Sequence, residues 1–190
     1  MRRDKTATSS KATCNRYMAC VRAILKKSCE WGWLKQCPKV AMYALEAREP
    51  RWITPDEFDA LYAVLPPHQA VLAHFGVTTG LRQRNVSLLK WNKGDMARTC
   101  AWVTGASAKG KRGIAVPLSR DALAILAGQR GQHPEYVFAY KGEPVWQVNT
   151  LAWRKAVRAA GIAPFRWHDL RHTWASWHCR PARRCMSCRN

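Results

Sequence analysis

Residues 100–118 read CAWVTGASAKGKRGIAVPL, and they decide the fold class. CAWVTGA (100–106) and GIAVPL (113–118) are short β-like runs rich in apolar and β-branched residues. SAKGKR (107–112) joins them, a glycine-containing turn carrying Lys109, Lys111 and Arg112. Two such runs around a polar glycine turn predict an antiparallel hairpin, here with a basic tip. Most of the chain around it has helical period. A mainly α fold with a small antiparallel β-sheet (α+β) follows.

Upstream, TPDEFDALYAVLPP opens a helix with an explicit start signal. Thr54 is placed to cap, Pro55 suits the first helical position and Glu57 completes a capping box. Phe58, Leu61, Tyr62 and Leu65 form its apolar stripe, and Pro66-Pro67 stops it. HQAVLAHFGVTTG (68–80) predicts a second, apolar helix ending at Gly80, and LRQRNVSLLKW begins a third. Downstream, Ser119 caps a helix running to about Gln129. VFAYKGEPV (137–145) is either irregular or a hairpin, and residues 147–160 are helical with Gly161 as C-cap. A last helix spans 168–178. At the start of the chain, Tyr17, Val21, Ile24, Leu25 and Ser28/Trp31 repeat at near-helical period over 14–34. Lys26 and Lys27 sit off that face, Pro38 ends the unit, and a short helical piece is expected over 40–48. EPRWI (49–53) reads as a linker. Residues 1–48 are small for a self-standing domain.

The 190 residues carry 32 Lys+Arg against 12 Asp+Glu, a formal charge of +20. Self-repulsion of that size gains a fold nothing, so a polyanionic partner is expected; the plain alternative is a solvated basic surface. No apolar run approaches the roughly 20 residues of a membrane span, and MRRDKTATSSKATC lacks the apolar core of a secretory signal. Of eight Cys, the five before the last dozen residues show no framework spacing, which points to a reducing, cytoplasmic setting. The acidic residues are dispersed, so no carboxylate cluster for Mg²⁺ is evident and no cofactor or metal is expected.

The candidate chemistry lies in cations. Arg82 follows TTGL, where a glycine turn releases a helix. Lys109 sits at the hairpin tip. His168, Arg171 and His172 fall at i, i+3 and i+4, so one helix face presents two imidazoles and a guanidinium. Singly, each has an ordinary reading as a solvated surface residue. Together they fit one task. Two Arg hold the non-bridging oxygens of a phosphodiester, His moves a proton and Lys protonates a departing alkoxide. That is metal-free phosphoryl transfer, with fixed cations in place of a metal.

TTGLRQRNVSLLKW, AKGKRGIAVPL and FRWHDLRHTWAS, in that order and spacing, resemble the catalytic domain of the tyrosine recombinases, most closely the phage-type integrases. The resemblance covers roughly residues 14–178. It implies a recombinase-like catalytic domain over 49–178, preceded by a partial helical core-binding domain over 1–48 that clamps DNA. By resemblance, Arg82 is the first catalytic Arg, Lys109 the hairpin Lys, and His168 and Arg171 the His and Arg of H-x-x-R. His172 matches a frequent following His. Asn85 departs from the Glu that many relatives have. Lys26, Lys27, Lys111 and Arg112 are candidate DNA contacts. The resemblance further implies double-stranded DNA as partner, a 3′-phosphotyrosyl intermediate with release of a 5′-hydroxyl, and tetramers of the chain on DNA.

The nucleophilic Tyr of that scheme should follow H-x-x-R by about 30 residues in the family. Here 19 residues follow Arg171 and none is Tyr; Tyr17, Tyr43, Tyr62, Tyr136 and Tyr140 all precede it. The segment CRPARRCMSCRN (179–190) offers Cys185-x-x-Cys188 near His178 and Cys179, a spacing too short for an ordinary zinc finger. Permissible codons for these residues, shifted by one base, read VQTGTPLYVLQE, an amphipathic continuation. The expectation is therefore an out-of-frame tail, and a chain that binds DNA but forms no covalent link by itself. The alternative is a non-catalytic DNA-binding regulator that competes with an intact recombinase.

Overall fold

In the computed structural model, residues 9–46, 49–95, 98–103 and 113–179 are described. The chain divides into two compact units, Met1–Glu49 and Pro50–Asn190.

The first unit is one helix and a return segment. Helix α1, Lys11–Glu30, starts where the Ser10 hydroxyl accepts the Thr13 N–H. The expected apolar stripe is not a core: Tyr17, Ile24 and Trp31 are exposed, and Cys14 is the helix's buried residue. The expected helix over 40–48 is also absent from 40–46, which run without regular structure. The cause is a competing set of partners. Asn15 exchanges two hydrogen bonds with the backbone of Tyr43, and the Arg22 guanidinium donates to the Val40 carbonyl. Side chains on the polar face of α1 thus occupy backbone groups that a helix would need for itself. The return segment follows that face, opposite the Tyr17–Ile24 stripe.

The second unit is built around an apolar helix. Helix α2, Pro55–Val64, has both halves of its capping box: Glu57 N–H donates to the Thr54 hydroxyl and Thr54 N–H to the Glu57 carboxylate. Helix α3, Pro67–Thr79, buries Ala70, Leu72, Ala73, Phe75, Gly76 and Val77, more than half of its circumference, and leaves Val71, His74 and Thr78 half-buried on the remaining face. A helix buried over so much of its surface belongs among several others. It packs on α2, on helix α5 (Arg120–Gly128), and on helix α7 (Asp169–Cys179). Between them, helix α4 spans only Gln83–Ser87. The longer helix expected there stops because Leu89 C=O accepts from Val137 N–H and Trp91 N–H donates to Glu135 C=O, drawing the chain into an extended pairing.

The small sheets are antiparallel. Strands β1 (Gly94–Asp95), β2 (Cys100–Val103) and β3 (Ile114–Pro117) form a three-stranded sheet in that order, with Ala101 opposite Val116. The alternative left open for 137–145 resolves to a hairpin, β4 (Ala139–Tyr140) against β5 (Glu143–Pro144). Its turn residues Lys141 and Gly142 both have positive φ, 54° and 80°, as a two-residue type I′ turn requires. Helix α6, Leu151–Ala159, starts later than expected, at the Thr150 cap. The fold is therefore α+β, mainly helical with small antiparallel sheets.

Helix α7 is tied to the beginning of this unit. Ile53 N–H donates to the Thr173 hydroxyl, and Trp177 Nε1 donates to Ile53 C=O. Thr173 and Ile53 are both fully buried. Thr173→Val keeps the shape and removes the acceptor. An unpaired buried N–H costs about 1–3 kcal/mol, so the urea midpoint should fall with an unchanged m-value.

Candidate active site

The first candidate, Arg82, is positioned by the end of α3. Gly80 takes a left-handed conformation (φ 61°) at the helix C-cap. A side chain there is strained, and a Cβ would stand 2.4 Å from the Trp174 ring. Glycine thus permits both the turn and the close approach of α7. Two residues later Arg82, half-buried, precedes α4 as its N-cap. Five helical residues carry little dipole, so Arg82 itself supplies the charge at this corner.

Arg171 comes from the other side, on the first turns of α7. Its guanidinium donates to the Gly80 carbonyl at 2.6 Å. The hydrogen bond satisfies an orphan carbonyl at the end of α3 and holds Arg171 against the turn that leads to Arg82. Both side chains line one cleft of about 530 Å³. Its other walls are Asn85, Trp174, His178, Val103 and the Ala115–Ser119 edge of the hairpin.

The two candidate imidazoles lie together but outside that lining. His168 stands in the turn just before α7, not within the helix as expected, and its ring meets that of His172 edge-on at 5.4 Å. The turn is built by Asp169, 1% exposed, whose carboxylate accepts the Arg166 N–H at 2.8 Å and pairs with the Arg166 guanidinium at 3.0 Å. Burial, then the neighbouring His172 charge, hold the His168 imidazole below its ordinary pKa; Arg171 and Arg166 act the same way and Asp169 opposes them. As pH falls, the unfolded chain takes up this proton before the folded one, so the contribution present above about pH 6.5 is lost as pH falls through the folded value. An NMR titration should place His168 below a free imidazole, and His168→Gln should flatten stability against pH below that point.

Lys109, Lys111 and Arg112 lie outside the described residues, as do Cys185 and Cys188. The strands that bracket the 104–112 connection border the cleft through Val103 and Ala115. Lys26 and Lys27 are exposed on α1, in the other unit, and Lys27 pairs with Glu30 at 2.6 Å. Among the described residues, no group of three or more His, Cys, Asp or Glu is arranged to hold a metal ion, and no helix is long and apolar enough to cross a membrane.

Sequence reasoning missed Trp174 and His178 as cleft residues. They follow Arg171 at i+3 and i+7, and His178 Nδ1 lies 2.8 Å from the Trp174 carbonyl oxygen. That helical spacing was the available signal. What it lacked was the knowledge that this face of α7 looks onto Gly80.

Comparison with known proteins bears on this arrangement. Residues 51–181 match the Phage integrase family. The integrase of Salmonella phage P22 is 34% identical over 186 residues, covering 90% of this chain and 47% of that protein. The chain thus spans about half the length of that relative. Among solved structures, a lambda integrase dimer bound to a core site aligns with TM-score 0.74 at 18% identity, covering 95% of this chain and 72% of the other. The Tn1549 transposon integrase in complex with circular intermediate DNA aligns with TM-score 0.78 at 12% identity, over 94% and 70%. The α+β fold is therefore the one these integrases share. With the family match over most of its length, the chain belongs to the phage integrase family.

Proposed function

We propose that this chain contributes the phosphate-binding part of a site-specific DNA recombinase of the tyrosine type. The observation that carries the reading is the convergence of Arg82 and Arg171 on one cleft, with Arg171 bonded to the Gly80 carbonyl. Two guanidiniums at one concave corner suit the two non-bridging oxygens of a scissile phosphate. His168 and His172 are adjacent proton carriers on the same turn of structure. Lys109 is assigned to the leaving group: a tyrosine oxygen attacks phosphorus, the bond to the 5′-oxygen breaks, and the 5′-alkoxide takes a proton from the Lys109 ammonium. The 3′-phosphotyrosyl link retains the phosphodiester energy for attack by a second 5′-hydroxyl.

The domain roles follow the same reading. Residues 49–178 are the catalytic part, 1–48 part of a DNA-clamping domain, and 179–190 an out-of-frame segment. Lys26, Lys27, Lys111 and Arg112 contact the DNA backbone. The formal charge of +20 supports duplex DNA as partner. Lambda integrase is also known as a tetramer bound to a Holliday junction, and a tetramer on DNA in the host cytoplasm is the assembly proposed here.

No tyrosine follows Arg171 in the 190 residues. They should therefore bind duplex DNA, with affinity falling steeply with salt, and leave no protein–DNA adduct on a nicked suicide substrate. Salt-independent binding would overturn the DNA reading; a DNA-linked band on a denaturing gel would overturn the assignment of the nucleophile. The competing reading is a non-catalytic DNA-binding regulator. Mixing the chain with a full-length relative whose Arg pocket is disabled separates the two: restored cleavage means this pocket acts on a tyrosine supplied in trans.

A further inference from the structure

Asn15, Arg22 and Cys29 recur every seven residues along α1 and so lie in a row on one face. The first two each hold a point on the return segment. Asn15 Nδ2 donates to Tyr43 C=O at 2.9 Å while Tyr43 N–H donates to Asn15 Oδ1 at 2.8 Å. Arg22 donates to Val40 C=O at 2.7 Å. Seven helical residues advance about 10.5 Å, and three extended residues advance about 10 Å. Tyr43 and Val40 are three residues apart, so the two steps match, and one more step of the same size leads from Arg22 to Cys29 and from Val40 to Cys37. The reversal between them is built into the chain. Trp33 N–H and Leu34 N–H both reach the Ser28 carbonyl, and Gly32 turns with φ 76°. Partial burial, and then the charge and hydrogen bond of the adjoining Cys37 thiol, raise the pKa of the Cys29 thiol above its ordinary value. Cys37 is exposed and Cys29 half-buried.

We propose that Cys29 and Cys37 form a thiol–disulfide modification site, closed by a low-molecular-weight disulfide into an intramolecular bond across the Trp31–Trp33 turn. The exposed Cys37 thiolate attacks one sulfur of the reagent, forming a mixed disulfide and releasing one thiolate. The Cys29 thiolate then attacks the Cys37 sulfur and releases the second. The two thiol protons end on the two released thiolates; the protein pair is oxidised and the reagent reduced. The closed loop encloses Trp31 and Trp33, 60% and 73% exposed with ring centroids 4.8 Å apart. Oxidation therefore closes the turn that carries this exposed aromatic pair and adds a covalent tie to the hydrogen bonds that already hold the return segment on α1.

The test uses the 190-residue chain with oxidised glutathione, free thiols then being alkylated and the protein cut with trypsin without reductant. Lys27, Lys35 and Lys39 place the cuts. The expected product is peptide 28–35 joined to peptide 36–39, lighter by two hydrogen atoms than the separate reduced pair. The same glutathione ratio in urea should yield it about tenfold less, because the folded register supplies the effective concentration. Cys29→Ser should leave glutathione standing on Cys37. Persistent glutathione on Cys37 with Cys29 alkylated in the native-sequence chain would overturn the proposal. So would an equal yield in urea, or cross-links shared evenly with Cys20.

Discussion

Gly80→Ala should unfold this protein at markedly lower urea and, in whatever remains folded, displace Arg171. Two effects add. A non-glycine residue in the left-handed region costs about 1–2 kcal/mol, and φ at Gly80 is 61°. Overpacking costs about 1–3 kcal/mol more, because the new Cβ would lie 2.4–2.9 Å from ring atoms of Trp174. Trp174 cannot yield without moving α7, since the same helix is tied down at Thr173 and Trp177. The Gly80 carbonyl also receives the Arg171 guanidinium. A shift here thus separates Arg171 from the turn leading to Arg82. Urea denaturation should show the loss in the midpoint. Pairing the substitution with Trp174→Ala should recover the packing part but not the left-handed strain. If the single variant is as stable as the parent, the close approach of α3 and α7 is wrong.

Trp153→Ala should cost about 3–5 kcal/mol, the usual range for emptying a large buried aromatic site. Trp153 is 0% exposed on α6 and packs against Trp167 at 5.0 Å and Phe165 at 6.4 Å between ring centroids. Those two residues lie one and three positions before His168. The loss should therefore appear in function as well as stability: the His168 resonance should broaden or shift while Arg82, which follows the C-terminal end of α3, is affected less. Trp153→Phe should cost far less than the alanine variant. It keeps most of the apolar volume, and the indole N–H that it removes is buried without a hydrogen-bond partner. Similar losses for both variants would show that Trp153 acts through something other than packing.

Much of this fold was legible one segment at a time. The Thr54–Glu57 box and the Ser119 and Thr150 caps depend on residues three apart, and the caps at Thr54 and Ser119 were placed from the sequence. The 100–118 hairpin is equally local. The misreadings occurred where a distant partner outbid the local pattern. Residues 40–46 lost their helix to Asn15 and Arg22, and the helix after Arg82 was cut short by Glu135 and Val137. His168 left the last helix because the buried Asp169 carboxylate folds the preceding turn back onto Arg166.

For the candidate site, the sequence by itself determined the chemical inventory: Arg82, Lys109, His168, Arg171 and His172, an excess of positive charge, and motifs spaced as in the phage integrases. Side-chain identity sets charge and hydrogen-bonding capacity, so an inventory needs no coordinates. Only the tertiary structure decided which of these groups converge. Arg82 and Arg171 are 89 residues apart (171 − 82). They meet because a bare Gly80 lets Trp174 approach and leaves its carbonyl for Arg171. That meeting depends on the crossing of α3 and α7, a long-range contact that residue spacing along the chain does not encode.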